Sequence, residues 1–133
     1  MQLGLWLSGL TIYKDLMTLL VRVSNLRNIP QYNRDTDLEY LKQDLVQVMT
    51  FVLRASRESA GSENISLAVE HMDRCRIWIE LLLETKAISK YTHLQLSQMA
   101  DHIYKQLLGA YTQGDSSLSK DSSLRKDSSL RSE

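Results

Sequence analysis

The sequence has few of the residues that interrupt helices or cross-link chains. Its 133 residues include one proline and five glycines, a composition that favours long helices. The single cysteine, Cys75, cannot form a disulfide within the chain. A chain of this length suits one domain and can bury a hydrophobic core without cross-links. The composition therefore predicts one mainly helical domain.

The sequence also lacks an excess of charge of either sign. Lys and Arg number 16, as do Asp and Glu, so the formal net charge is zero. The balance holds along the chain, with 12 of each sign in residues 1–113 and 4 of each in the last twenty. Proteins that bind nucleic acid usually carry a basic excess. Any contact with RNA would therefore need basic side chains sorted onto one part of the surface.

No apolar run is long enough to predict a membrane span. The apolar stretch from Met1 to Tyr13 is interrupted by Lys14 and Asp15, well short of the roughly twenty residues that a span needs. The stretch also lacks a basic leader and a small-residue cleavage pattern. We expect a cytoplasmic protein that makes no membrane contact.

Two amphipathic stretches flank a short turn at residues 85–89 and predict a helical hairpin over about residues 63–113. Apolar residues recur every three or four positions in each arm, the period of one helix face. In the first arm these are Ile65, Ala68, Met72, Cys75, Ile79, Leu82 and Leu83; in the second they are Leu96, Ala100, Ile103, Leu107, Ala110 and Tyr111. Ser89 is suited to cap the second arm. So short a turn makes the two helices antiparallel neighbours.

Two further helices precede the hairpin. The first is predicted over about residues 5–26, and the second begins at Thr36, where Thr36 and Glu39 have the spacing of a capping box. The fold class predicted is all-α, an antiparallel up-down-up-down four-helix bundle over residues 1–113. Residues 114–133 contain three copies of one Asp-Ser-Ser-Leu hexad, too polar to fold, and are predicted to form a disordered tail.

Some apolar residues lie off the stripes that fill a four-helix core. Helix 1 is apolar on two sides, and the first hairpin arm has a second apolar line. These lines predict an oligomer interface that contains Trp6, Leu67, Trp78 and Leu81. The alternative is an irregular core that buries them.

The patterns that carry catalytic or metal chemistry are missing. No Glu is followed by a His three residues later, as di-metal bundles require, and there is no phosphate-binding loop or nucleophile motif. His71 and Cys75 are four residues apart, but no third ligand has a matching spacing. We expect no enzyme activity, no cofactor and no metal.

Binding is the function that remains, and one group of cations stands out. In an antiparallel bundle the end of helix 1 and the hairpin turn lie at the same pole. The predicted nucleic-acid-binding residues at that pole are Arg22, Arg27, Arg34, Lys86 and Lys90. For any single cation the simpler interpretation is a nearby acid, such as Asp73 for Arg76 or Glu70 for Arg74.

The hairpin resembles the C-terminal half of a family of small four-helix bundles. One branch is encoded in intervening sequences of bacterial ribosomal RNA genes, and the other is Avd, the accessory protein of diversity-generating retroelements. The residues that carry the resemblance are Asp73, Arg76, Ile79, Leu82, Leu83, Ile88, Ser89, Ile103, Lys105, Leu107 and Gly109. In the first half, Tyr13, Pro30, Arg34 and Arg54-Ala55 resemble the Avd branch.

The resemblance to Avd implies a pentameric, non-catalytic subunit that binds a reverse transcriptase and its template RNA to support mutagenic cDNA synthesis. The intervening-sequence branch implies an oligomeric protein-interaction bundle without nucleic acid. Zero net charge favours the second branch, as does Glu80, where many Avd-like sequences have an arginine. Pro30, Arg34 and Arg54-Ala55 favour the first.

Overall fold

Five α-helices make up most of residues 3–57 and 61–118, the part of the chain that the computed structural model describes; side chains are described for residues 10–57 and 63–111. The helices are α1 (Leu3–Ser24), α2 (Gln31–Asp35), α3 (Asp37–Arg57), α4 (Gly61–Glu84) and α5 (Lys90–Leu118). The four long helices form a ring in which α1 packs on α3 and α5, and α4 packs on the same two. Because successive helices are joined by short links, they alternate in direction. The predicted all-α up-down-up-down bundle is confirmed.

The predicted apolar stripes meet in one core. The stripes of α3, α4 and α5 are largely buried, with Leu45, Met72 and Leu96 each 0% exposed. Tyr111, predicted on the stripe of α5, is instead 37% exposed. Helix α1 buries only one of its two apolar sides, because Ile12, Leu16, Leu19 and Val23 point inward while Met17 stays 39% exposed. Burial of side chains of this size contributes about 1.5–3 kcal/mol each, so the stripes account for most of the driving force.

The hairpin turn lies at the predicted residues, and hydrogen bonds close the helix on each side of it. Helix α4 is closed by Lys86, whose φ of 63° is left-handed, and by Ala87, whose N–H donates to the Leu82 carbonyl at 2.9 Å. This six-to-one hydrogen bond satisfies a carbonyl that the helix end leaves unpaired. At the start of α5 the Thr92 N–H donates to Ser89 Oγ at 3.1 Å. The Ser89 cap is confirmed.

The first connection differs from the prediction. It contains α2, which follows Pro30, and its Asn33 side chain is buried and donates to Asp37 at 2.8 Å and to Thr85 at 3.0 Å. The predicted capping box is wrong, because Thr36 ends α2 and its hydroxyl donates backwards to the Tyr32 carbonyl at 2.8 Å. Glu39 pairs with Lys42 instead. The apolar period could not show α2, because polar contacts hold this helix in place.

The end of the bundle also differs. Helix α5 continues through residues 114–118, which the sequence assigned to the tail. Gly114 is only a weak stop, since a glycine costs about 1 kcal/mol in a helix. The rest of the predicted tail, residues 119–133, lies outside the described residues.

Candidate functional site

The five predicted cations lie at one end of the bundle, which we call the basic pole: Arg22, Arg27, Arg34, Lys86 and Lys90. The chain brings them together because α1 and α4 end at this pole and α5 begins there. Helix α2 carries Arg34, and the hydrogen bond from Asn33 to Thr85 fixes that helix to the end of α4. Arg22 is half-buried, and the other four are exposed.

A groove of about 470 Å³ opens at the basic pole between the end of α1 and the hairpin turn. Its lining consists of Arg22, Asn25, Leu26, Arg27, Asn28, Ile29, Ala87, Ile88, Ser89 and Thr92. The apolar members of this set are buried, so they form the floor, while arginine, amide and hydroxyl groups surround it. This lining includes two arginines and no carboxylate. The groove therefore favours an anion.

One of these arginines is held in place by a chain of hydrogen bonds. The Arg22 guanidinium donates to Gln95 Oε1, and Gln95 Nε2 donates to the Tyr91 hydroxyl at 2.9 Å. These contacts join the last turn of α1 to the first turns of α5. Because Arg22 is ordered before any ligand arrives, it loses less conformational entropy on binding.

Acidic residues share the basic pole outside the groove. Asp35 accepts a hydrogen bond from Gln31, Glu39 pairs with Lys42, and Glu84 is exposed at the end of α4. At the basic pole, the part of the surface lined by arginine without a carboxylate is therefore the groove.

The two arginines of α4 have partners that the sequence did not predict. Arg74 donates to Asp44 on α3, and Arg76 contacts Asp101 on α5 at 3.1 Å. The predicted pairs with Glu70 and Asp73, within the same helix, are therefore wrong. Side chains in a packed bundle can reach an acid on a neighbouring helix, and the spacing of charges within one helix does not show such a partner.

A polar cluster in the seam between α3 and α4 was missed by the sequence analysis. Asp44 is only 5% exposed and accepts from His71 Nδ1 at 3.0 Å, Arg74 Nε at 3.0 Å and Trp78 Nε1 at 2.7 Å. Two opposing causes act on the pKa of Asp44. Burial by itself would raise the pKa, but hydrogen bonds from His71, Trp78 and Arg74, together with the charge of Arg74, lower it by more. The net result is a pKa below the ordinary value of 3.8.

This cluster changes the interpretation of the predicted oligomer interface. Trp78 is half-buried, donates to Asp44 and packs against Tyr40 with ring centroids 5.2 Å apart, so it belongs to the seam. Leu67 is also half-buried, whereas Leu81 is 38% exposed. The Trp6 side chain lies outside the described residues. Ile77, 62% exposed and one turn before Leu81, is the apolar neighbour that the sequence analysis did not name.

His71 and Cys75, the pair with metal-ligand spacing, contact or pack against other residues of the bundle, as does His93 on α5. His71 contacts Asp44, and burial raises the pKa of the Cys75 thiol. His93 Nε2 lies 2.6 Å from Glu80 and 3.3 Å from Ser97 Oγ. A catalytic relay would engage the two ring nitrogens separately, and here one nitrogen contacts both groups. Over residues 3–57 and 61–118, no three His, Cys, Asp or Glu side chains are grouped as metal ligands.

In residues 3–57 and 61–118, no helix combines the length and the apolar character that crossing a bilayer requires.

Comparison with known proteins identifies a fold. No protein-family model matches this sequence, and no curated protein matches it. A crystal structure of a protein with unknown function from the S23 ribosomal protein family of Bacteroides thetaiotaomicron VPI-5482 is similar, with a TM-score of 0.70 and 14% identity. The similarity covers 79% of this chain and 98% of that one. It supports the bundle fold that the motifs imply and adds nothing in favour of the Avd branch.

Proposed function

We propose that this protein is a non-catalytic accessory subunit that binds RNA through its basic pole and supports a reverse transcriptase, as Avd does in diversity-generating retroelements. The observation that carries the proposal is the groove, where Arg22 and Arg27 lie beside the Ser89 and Thr92 hydroxyls without a carboxylate. The predicted cations come from positions up to 68 residues apart, between Arg22 and Lys90. The two that line the groove, Arg22 and Arg27, are neighbours in the sequence, and the fold brings the Ser89 and Thr92 hydroxyls beside them.

The groove would bind the RNA backbone and not read its sequence. Guanidinium groups form short, charge-assisted hydrogen bonds with phosphate oxygens, and such contacts position a nucleic acid without distinguishing its bases. Arg22 is already oriented by Gln95, and Arg27 is exposed at the mouth of the groove. Such a subunit would hold template RNA for the polymerase without performing a chemical step of its own.

The proposal includes assembly and partners. By resemblance, the bundle forms a homo-oligomer, a pentamer in Avd, and docks on the reverse transcriptase in the cytoplasm. The support on this molecule is the pair Ile77 and Leu81, which lie one turn apart on the outer face of α4 and are 62% and 38% exposed. Trp78 lies in the seam between α3 and α4. We therefore place Ile77 and Leu81, and not Trp78, at the centre of the proposed contact.

A second candidate is an oligomeric interaction bundle that binds no nucleic acid. Two observations favour it: the formal net charge is zero, and Glu80 contacts His93 on a surface where Avd-like sequences often have an arginine. In this interpretation the basic pole is a solvated surface, and protein contacts alone provide the function.

The test measures RNA binding of two charge-matched variants at opposite ends of the bundle. Arg27→Glu changes the groove, and Arg54→Glu changes an exposed arginine near the end of α3, at the other pole. Because a lost charge-assisted contact costs about 1.5–3 kcal/mol, Arg27→Glu should weaken binding by about tenfold or more, and Arg54→Glu should change it little.

Capture of partners separates the two candidates. The tagged protein should retain a reverse transcriptase and its template RNA from its native cells. Failure to bind RNA at low salt, with no polymerase captured, would contradict the accessory-subunit proposal. The interaction-bundle candidate would then stand.

A further inference from the structure

Two tyrosines at the basic pole have rings that are exposed to solvent. Tyr32 on α2 is 74% exposed and Tyr91 on α5 is 68% exposed, more than any other large apolar side chain in the described part of the chain. The tyrosines in the seams differ: Tyr40 packs against Trp78, and the Tyr104 ring lies 4.4 Å from the Arg76 guanidinium. Among the described residues, neither Tyr32 nor Tyr91 stacks on a ring or under a cation.

Both exposed rings are attached to rigid supports. The Tyr91 hydroxyl accepts from Gln95, whose amide oxygen accepts from Arg22, so this ring is fixed beside the groove. Tyr32 belongs to α2, whose Asn33 is bonded to Asp37 and Thr85. Each ring is therefore presented to solvent from an ordered helix beside arginines of the basic pole.

We infer that the basic pole binds single-stranded RNA, with unpaired bases stacked on Tyr32 and Tyr91 and phosphates held at Arg22 and Arg27. The inference rests on the proposed function and adds the form of RNA that the pole accepts. Proteins that bind single strands combine a basic groove with aromatic side chains, because every base offers a π face whatever its sequence. The neutral charge of the chain fits this mode, since stacking adds affinity that does not come from phosphate attraction.

Duplex RNA and a protein partner fit the pole less well. Bases in a duplex are already stacked on each other and show no face to an exposed ring. A protein interface has an apolar centre, and the apolar residues of the groove are buried in its floor. The exposed apolar pair Ile77 and Leu81 lies on the outer face of α4, away from the groove lining.

The experiment compares two forms of one RNA. Fluorescence anisotropy is measured with a labelled oligouridylate of roughly 16 nucleotides, alone and annealed to oligoadenylate. The wild-type protein should bind the single strand at least about tenfold more tightly than the duplex, because only the single strand offers bases to the rings. Equal affinity for the two forms would overturn the inference.

Variants of Tyr32 and Tyr91 test whether their rings stack on the RNA bases. Replacing both rings, Tyr32→Leu with Tyr91→Leu, should weaken single-strand binding by about a hundredfold, or about tenfold per ring. The Phe pair keeps the rings and should retain most of the affinity. Tyr111→Leu, on an exposed tyrosine near the other end of α5, is the matched control and should have no effect. Circular dichroism confirms that each variant stays helical.

The outcomes separate this inference from the proposed function. If Arg27→Glu weakens RNA binding and the Leu pair does not, the RNA-binding subunit stands and the stacking is overturned. If the Leu pair abolishes capture of the polymerase without changing RNA affinity, the tyrosines contact protein and the inference fails. If wild-type protein binds no RNA, both proposals fail.

Discussion

Arginine side chains meet a buried carboxylate in the seam between α3 and α4, but they line a groove without a carboxylate at the basic pole. In the seam, Arg74 donates to Asp44 through Nε at distances of 3.0 and 3.1 Å. At the pole, Arg27 is exposed and Arg22 donates to the neutral amide of Gln95. The same residue type is neutralised within the bundle in one region and left to attract an external anion in the other.

The difference separates residues that stabilise the bundle from residues that can bind a ligand. Asp44 has a shifted pKa, which often marks a functional site, but the residue is 5% exposed and its oxygens accept from three side chains. The lining of the groove at the pole contains no carboxylate that would neutralise its arginines. We therefore expect the seam to stabilise the bundle and propose the basic pole as the binding site.

The largest expected effect comes from Asp44→Ala. The substitution leaves His71, Arg74 and Trp78 without their acceptor in a half-buried seam, so the free energy of unfolding should fall by about 3 kcal/mol. Arg74→Ala is the control, because its side chain is 60% exposed and its loss should cost only about 1 kcal/mol. Urea unfolding followed by circular dichroism measures both. Equal effects of the two substitutions would contradict the central role of the carboxylate.

A smaller effect is expected on acid stability. The pKa of Asp44 in the folded protein lies below 3.8, so its charged form stabilises the fold above that pH, and the contribution is lost as the pH falls through the folded value. Between about pH 5 and about pH 2, wild type should lose more stability than Asp44→Asn, which has no carboxylate to protonate. Unfolding free energies at a series of pH values test this. Parallel curves for the two proteins would show that Asp44 does not carry the acid sensitivity.

The fold could be predicted because its main signal is local. A three- and four-residue apolar period specified each long helix, and Ser89 marked the start of α5 with a side chain that caps its own helix. The errors arose where contacts between helices decide the outcome. Thr36 and Glu39 have capping-box spacing, but α2 forms there because Asn33 reaches Thr85, 52 residues away.

The seam and the groove show which functional features a sequence hides. Asp44 is three residues after Leu41 and next to Leu45, on the buried face of α3. A charged residue on an apolar stripe indicates a buried polar group that needs hydrogen-bond partners, and the sequence contained this signal. Its partners on α4 could not be named, because no local pattern links them to α3. At the pole, the shared end of α1 and α4 was predictable from topology. The groove and the exposure of Tyr32 and Tyr91 depend on loop geometry and side-chain packing.

The salt dependence of RNA binding tests the central claim most directly. Each phosphate contact with a single strand contributes about −0.7 to the slope of log affinity against log salt, so the slope should lie between about −1.4 for the two groove arginines and about −3.5 for all five cations. Replacing Arg22 and Arg27 together with glutamine should make the slope shallower by about 1.4. The free energy of unfolding should fall by only about 1 kcal/mol, because Arg22 loses its hydrogen bond to Gln95 while the core stays intact. A slope that this variant leaves unchanged, or no binding at low salt, would contradict the account.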